Sequence, residues 1–275
     1  MLNNEVVPIY DTAKRRNVAL YELIQAWRYR DLIWQLVLRD VTSRYKRSVL
    51  GIAWTMLNPL GTMIIMTIVF SQLFNRIEGY SAYLLSGLVI WNFFSQSSST
   101  GINNLVRGGP MFTRIYVPRT AFAISSVGTG LVNLFFSIIV LFGVMLVVGV
   151  PITWTSLLVL VPIIFTALFS LGMSLIISSA GIYFDDVVQM YRILLTAWMY
   201  FTPIIYQIDI LPPYAQRLMF FNPMYHFVEL FRRATYFGEN FYWPEVGVSA
   251  LFAFVPLIIG WLVFSKISEQ LAYRT

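Results

Sequence analysis

The sequence predicts an all-α polytopic membrane protein with six transmembrane helices, an amphipathic interface helix ahead of them, and re-entrant outer helices between spans five and six. Three observations carry that prediction. Of 275 residues only 12% are charged and 58% are hydrophobic, with a mean hydropathy of +0.69. A soluble domain carries roughly 25% charged residues, so this chain cannot clothe a surface in water and most of its outside must meet lipid. Six runs approach the roughly 20 apolar residues that cross a hydrocarbon core. Finally, the 19 lysines and arginines gather on alternate connections, which is how a cytoplasmic side is marked. Because the cations are localised in this way, the net charge of +6 reads as a topology signal and argues against nucleic acid as a partner.

Residues 1–48 form a cytoplasmic N-terminal segment and residues 49–275 a transmembrane domain. In the first, Leu20, Leu23, Ile24 and Trp27 recur at helical spacing, and Arg28, Asp31, Gln35 and Arg39 continue a polar stripe. Tryptophan and arginine on such a helix suit a membrane surface, and packing on a soluble partner is compatible with it. These 48 residues are polar or amphipathic, so no cleavable signal is expected. The cluster Arg44, Lys46 and Arg47 then stands directly before span one, residues 51–74, and holds its start in the cytoplasm.

Asn58-Pro59 interrupts that span. Proline removes a backbone bond and kinks a helix, which a membrane tolerates only where protein or water takes up the freed carbonyl. The kink serves either packing or a bend that moves. Span two, residues 80–102, carries the run Ser95, Gln96, Ser97, Ser98, Ser99, Thr100. Such neutral groups bond back to their own helix, reach a neighbouring one, or line a wet path. The connection that follows is broken by Gly108-Gly109-Pro110, and Pro118 marks the entry to span three. Its cations Arg107, Arg114 and Arg119 alternate with Met111, Phe112 and Tyr116, a mixture suited to docking a protein or to a plain cytoplasmic loop.

Spans three and four, residues 121–150 and 154–183, exceed a straight crossing and predict tilt. Asp185-Asp186 reads as a helix cap rather than a metal or proton site. Span five covers residues 187–206 and span six residues 246–267. Trp198, Tyr200, Phe201 and Tyr206 bunch at the end of span five. Flat aromatic faces suit the C–H faces of sugars, and an ordinary interfacial belt is the other reading. Between spans five and six, residues 209–244 are apolar, yet Pro212-Pro213 and Asn222-Pro223 cut them into pieces too short to cross. Glu229 stands three and four residues before Arg232 and Arg233, favourable helix pairs. His226, the only histidine, reads as a hydrogen-bonded interface residue. Counting charge on alternate sides leaves only Arg76, Arg217, Arg232 and Arg233 outside, so both termini are expected in the cytoplasm.

Several chemistries are excluded. None of Lys14, Lys46 and Lys266 follows a glycine, so the chain has no phosphate-binding P-loop of its own. No ionisable residue falls near the middle of a predicted span, as an ion-driven carrier requires. One histidine, no cysteine and no G-x-S-x-G elbow leave no catalytic constellation and no thiolate metal site. No catalytic or metal-ligating residue is assigned, and no enzyme activity is expected.

The stretch "RDLIWQLVLRDVTSRYKRSVLGIAWTMLNPLGTMIIMTIVF", followed in order by "YVPR", "IYFDDV", "YFTPIIY" and "FNPMYHFVELFR", resembles the membrane subunits of polysaccharide ABC exporters. These are type 2 ABC permeases for O-antigen, capsule or teichoic acid polymers. The resemblance covers nearly the whole chain. It implies a homodimer in a bacterial inner membrane, bound to two copies of a separate ATPase subunit that holds ATP and Mg. The implied substrate is a polysaccharide on a polyprenyl diphosphate lipid. Arg107, Met111, Phe112, Arg114, Tyr116 and Arg119 then look like the ATPase-coupling element, and Arg44, Lys46 and Arg47 would meet the lipid diphosphate. Trp198, Tyr200, Phe201 and Tyr206 would lie along the sugar path. Asn222, Pro223, Tyr225, His226 and Phe231 would belong to an outer gate. The runner-up is a type 2 ABC permease for a small drug or lipid, whose path should be narrower and greasier.

Overall fold

The structure is a computed structural model that describes residues 18–46, 50–51, 53–107 and 118–272. Arg47, Met111, Phe112, Arg114 and Tyr116 lie outside the described residues, as do the side chains of Leu20, Leu23, Arg44 and Arg107. Helix makes up 83% of the described residues, and none of them is in a strand. The helices are α1 (Val18–Arg28), α2 (Arg30–Tyr45), α3 (Ala53–Phe70), α4 (Tyr80–Arg107) and α5 (Thr120–Val148). A short 3-10 turn, Trp154–Val159, leads into α6 (Leu160–Gly181), followed by α7 (Asp186–Phe201). Next come α8 (Pro213–Met219) and α9 (Pro223–Arg232), and α10 (Trp243–Ala272) closes the fold.

Among the described residues four stretches are long and apolar enough to cross a membrane: Ala53–Phe70, Thr120–Val148, Trp154–Gly181 and Trp243–Ser268. They coincide with predicted spans one, three, four and six. The other two fall short for different physical reasons. α4 has 28 residues, but its amides and hydroxyls dilute its hydropathy. α7 has only 16 residues, because Pro203 forces the residue before it out of the helical region. Thr202 accordingly sits at φ −83°, ψ 133°.

α4 occupies the centre, against α5 on one side and α6 on the other, and α10 packs on α6. The α6–α10 crossing brings backbone onto backbone. A Cβ on Gly172 would stand 2.5 Å from the Leu257 nitrogen, and one on Gly260 would stand 2.6 Å from the Gly172 carbonyl. Small residues at such a crossing replace the hydrophobic drive that lipid cannot provide between helices. Around this frame sits an aromatic core. Phe94 lies 5.2 Å from Phe169 and 5.5 Å from Trp198, and Phe169 lies 5.4 Å from Phe227.

The amphipathic segment is two helices broken at Tyr29 rather than one. Ala26 of α1 and Leu36 and Val37 of α2 are buried, the latter helix against α5. Ile24 and Trp27 are 60% and 74% exposed, so these two residues of the apolar stripe read from the sequence turn away from the protein. That is the placement of side chains that meet lipid at an interface.

Candidate functional site

α4 divides the polar run of span two between two faces. Ser97 and Ser98 are buried. The Tyr191 hydroxyl of α7 donates to Ser98 Oγ at 2.9 Å, and Ser174 Oγ of α6 donates to the Ser98 carbonyl at 3.4 Å. The Ser98, Tyr191 and Ser174 hydroxyls thus tie α4 to α7 and α6. Asn92, Ser95, Gln96, Ser99, Thr100 and Asn103 are exposed or half-buried and recur every three or four residues. They form a neutral polar stripe along the helix. The sequence reading took the serine run as one feature and missed Asn92 and Asn103. The signal was the 4-3-4 spacing of Asn92, Gln96, Ser99 and Asn103.

Two concavities flank the stripe. Between α3, α4 and α5 lies a cavity of about 620 Å3, reached by Asn58, Asn92, Gln96, Asn133 and Ser137 and walled by Trp54 and Phe93. Pro59, the kink residue of α3, lines it as well. Asn133 Nδ2 donates to Gln96 Oε1 at 2.6 Å across it. On the other side, α4 and α7 form an open groove of about 490 Å3 bordered by Gln96, Ser99, Thr100, Arg192 and Thr196. Arg192 Nη2 reaches Asn103 Oδ1 at 3.5 Å.

Beyond α7 the backbone of residues 203–206 is not helical, so its carbonyls need partners from elsewhere. Four side-chain bonds supply them. Arg232 Nη1 donates to the Pro203 carbonyl and Nη2 to the Ile204 carbonyl, both at 2.6 Å. The Tyr80 hydroxyl donates to the Ile205 carbonyl and the Tyr83 hydroxyl to the Tyr206 carbonyl, both at 3.0 Å. Irregular backbone inside a membrane protein is tolerated on this condition. A Cβ on Gly87 would stand 2.6 Å from Arg232 Nη2, so the glycine leaves the guanidinium its room. The expected pairing of Glu229 holds for Arg233, at 3.7 Å, but Arg232 turns inward instead. Arg233 also meets Glu239 at 3.8 Å and Glu245 at 3.3 Å.

The predicted outer-gate residues fall mostly inside the protein. Asn222 caps α9: its Oδ1 accepts from the Met224 N–H at 3.1 Å and from Trp198 Nε1 at 2.8 Å, and its Nδ2 donates to Thr202 Oγ1 at 3.0 Å. Pro223 takes the first helical position, where no N–H is needed. His226 Nε2 bonds the Phe220 carbonyl at 2.9 Å, and its ring stacks on Phe252. Phe231 is fully buried and Tyr225 half-buried. The predicted sugar-path residues do not share one surface. Trp198 is held in the aromatic core, while Tyr200 and Phe201 are exposed on α7. The Tyr206 hydroxyl folds back onto the carbonyls of those two. Asp185 stands at the cap position of α7 without a side-chain cap bond, a correction to the capping expectation; Asp186 is in the first turn.

At the other end of the bundle α1 presses Glu22 against α10. Ser265 Oγ donates to Glu22 Oε2 at 3.2 Å. Burial pushes the Glu22 carboxyl up; hydrogen bonds from Ser265 and Ser268 and the charge of Arg119 pull it down. Burial likewise pushes the Arg119 guanidinium down, opposed by Glu22. Lys46 is exposed beyond the end of α2. Among the described residues no group of acidic, histidine or cysteine side chains is placed to hold a metal ion.

The family model of the ABC-2 type transporter matches residues 31–236. The chain is 27% identical over 203 residues to the O-antigen export system permease protein RfbA of Myxococcus xanthus, covering 73% of this chain and 78% of that one. It is 25% identical over 247 residues to the O-antigen export system permease protein RfbA of Klebsiella pneumoniae, covering 88% and 94%. It is 23% identical over 252 residues to the polysialic acid transport protein KpsM of Escherichia coli, covering 86% and 93%.

Proposed function

This chain belongs to the ABC-2 type transporter family, and from that premise we propose that two copies of it form the membrane channel of an ATP-driven exporter of lipid-linked polysaccharide. The chain is the permease subunit, and hydrolysis belongs to a separate ATPase. The observation that carries the reading is the uncharged polar stripe of α4. It is too polar to face lipid and too neutral to couple an ion gradient, and its hydroxyls and amides match the groups of a glycan. The names of the similar proteins favour a glycan over a small drug or lipid as cargo.

Six crossings follow if α4 and α7 join the four apolar helices. α4 crosses with its polar stripe turned to a second copy, and α7 rises about 24 Å at 1.5 Å per residue. The charge distribution supports cytoplasmic termini in a bacterial inner membrane. α8 and α9, at 7 and 10 residues, are too short to cross and serve as re-entrant outer elements. Residues 107–119 dock on the ATPase, and Arg44, Lys46 and Arg47 meet the lipid diphosphate at the inner surface.

Deleting the gene should abolish surface polysaccharide while the lipid-linked polymer accumulates inside. Plasmid-borne wild-type chain should restore export. Unchanged surface polysaccharide in the deletion strain would contradict the reading.

A further inference from the structure

Resting on the export reading, we propose that the cavity between α3, α4 and α5 is a binding site for an uncharged sugar unit, so that the exported polymer is a neutral glycan and not an acidic one. The cavity converges four carboxamides, Asn58, Asn92, Gln96 and Asn133, with the hydroxyl of Ser137. Carboxamides and hydroxyls both donate and accept, as do sugar hydroxyls. The Asn133–Gln96 bond consumes one donor and one acceptor. Among the described residues it leaves the Gln96 amide nitrogen and the Asn133 side-chain oxygen Oδ1 open to a ligand, while the Asn133 backbone carbonyl accepts from Ser137 Oγ.

Trp54 adds an indole face and an N–H at the rim, an arrangement that takes a sugar's apolar side and one of its hydroxyls together. The volume, about 620 Å3, falls in the range of roughly 300–1,000 Å3 typical of small-molecule sites. Depth matters as much as composition. Asn133 stands 13 residues into α5, about 20 Å along its axis, so the amides gather near mid-helix, where unpaired polar groups are costly. A ligand that satisfies them removes that cost.

The walls also say what is rejected. Among the described residues no charged side chain lines this cavity, and on the adjoining α4–α7 face the one charged lining residue among them is Arg192. A polyanion here would find no counter-charge on the described walls of this cavity, whereas a neutral sugar needs none. The Asn58-Pro59 break finds its use in the same place. Both residues line the cavity, on the turn of α3 that bounds it.

The test uses the full chain with its ATPase in lipid nanodiscs and saturation-transfer NMR, which reads weak binding. The probes are neutral tetrasaccharides of mannose, galactose and N-acetylglucosamine, and an oligosialic acid of equal length. At least one neutral probe should bind ten-fold or more tighter than the acidic one. The double variant Gln96→Leu/Asn133→Leu removes both bonded amides at once and leaves neither half-paired; it should lose that binding ten-fold or more while still co-purifying with the ATPase. Equal or tighter binding of the acidic probe overturns the proposal, as does unchanged neutral binding in the double variant. Binding of no probe by an assembled complex overturns the sugar site alone. Failure of the wild-type chain to assemble with an ATPase strikes the export reading instead.

Discussion

The Arg232 guanidinium lies 3.7 Å from the centre of the Tyr83 ring, and the two residues together bond three of the four carbonyls of the non-helical backbone after α7. Arg232 takes the carbonyls of Pro203 and Ile204, and the Tyr83 hydroxyl takes that of Tyr206. A planar fork above an aromatic face can do this, whereas an ammonium cannot reach both carbonyls and stack. Arg232→Lys should therefore cost about 2–3 kcal/mol, since a buried carbonyl left unpaired costs about 1–3 kcal/mol. Thermal unfolding in detergent, followed by tryptophan fluorescence, checks it. A variant that melts with the wild type would show that water serves these carbonyls equally well.

Asn222 holds three partners at once, the Met224 N–H, Trp198 Nε1 and Thr202 Oγ1. Its amide ties the start of α9 to the end of α7. Asn222→Ala should cost about 2–3 kcal/mol, about one from the lost cap and the rest from orphaned buried groups. Asn222→Asp keeps the cap acceptor but loses the bond to Thr202, and should fall between. If Asn222→Asp proved less stable than Asn222→Ala, the carboxylate's burial would outweigh the cap.

The docking of α1 should depend on pH. Burial raises the Glu22 carboxyl above its unfolded value, so its protonated form favours the docked state. That contribution is complete below the ordinary carboxylate range and is lost as pH rises through the raised value. With no native cysteine, spin labels can be placed at Trp27→Cys and Lys266→Cys. The distance between them should be narrowly distributed in acid and broader at alkaline pH. Glu22→Gln should keep it narrow throughout. A wild-type distribution that ignores pH would contradict this.

The crossing of α6 and α10 should not tolerate a side chain. Gly172→Ala puts a Cβ 2.5 Å from the Leu257 nitrogen, where only backbone can give way. Overpacking of this kind costs about 1–3 kcal/mol. Gly247→Ala, in the same helix as Leu257 but with open space around it, should be near neutral. Equal melting temperatures for the two variants would mean that the crossing is looser than drawn.

Local rules served where a feature depends on near neighbours. The apolar runs located α3, α5, α6 and α10, and Pro223 marked the start of α9; the reading of span five to residue 206 ran past Pro203, which ends α7 at Phe201. Arg232 shows where local reading stops. Spacing pairs it with Glu229, but its partners include Tyr83, 149 residues earlier in the chain, and no neighbour rule anticipates that. Trp198 is a similar case: composition marks an aromatic cluster, and only packing tells core from path. The α4 stripe lay between these extremes, since its spacing was in the sequence but was masked by the serines that serve packing.

The central claim is that the α4 stripe lines a wet path for glycan. Single cysteines at Asn92, Ser99 and Asn103, with Ile139 of α5 as a lipid-facing control, can be probed in membranes with a small water-soluble thiol reagent. The three stripe positions should react, Ile139 should not, and lipid-linked polymer held by the nucleotide-trapped transporter should shield the stripe. A stripe as inert as Ile139, or one whose labelling ignores the polymer, would contradict the account.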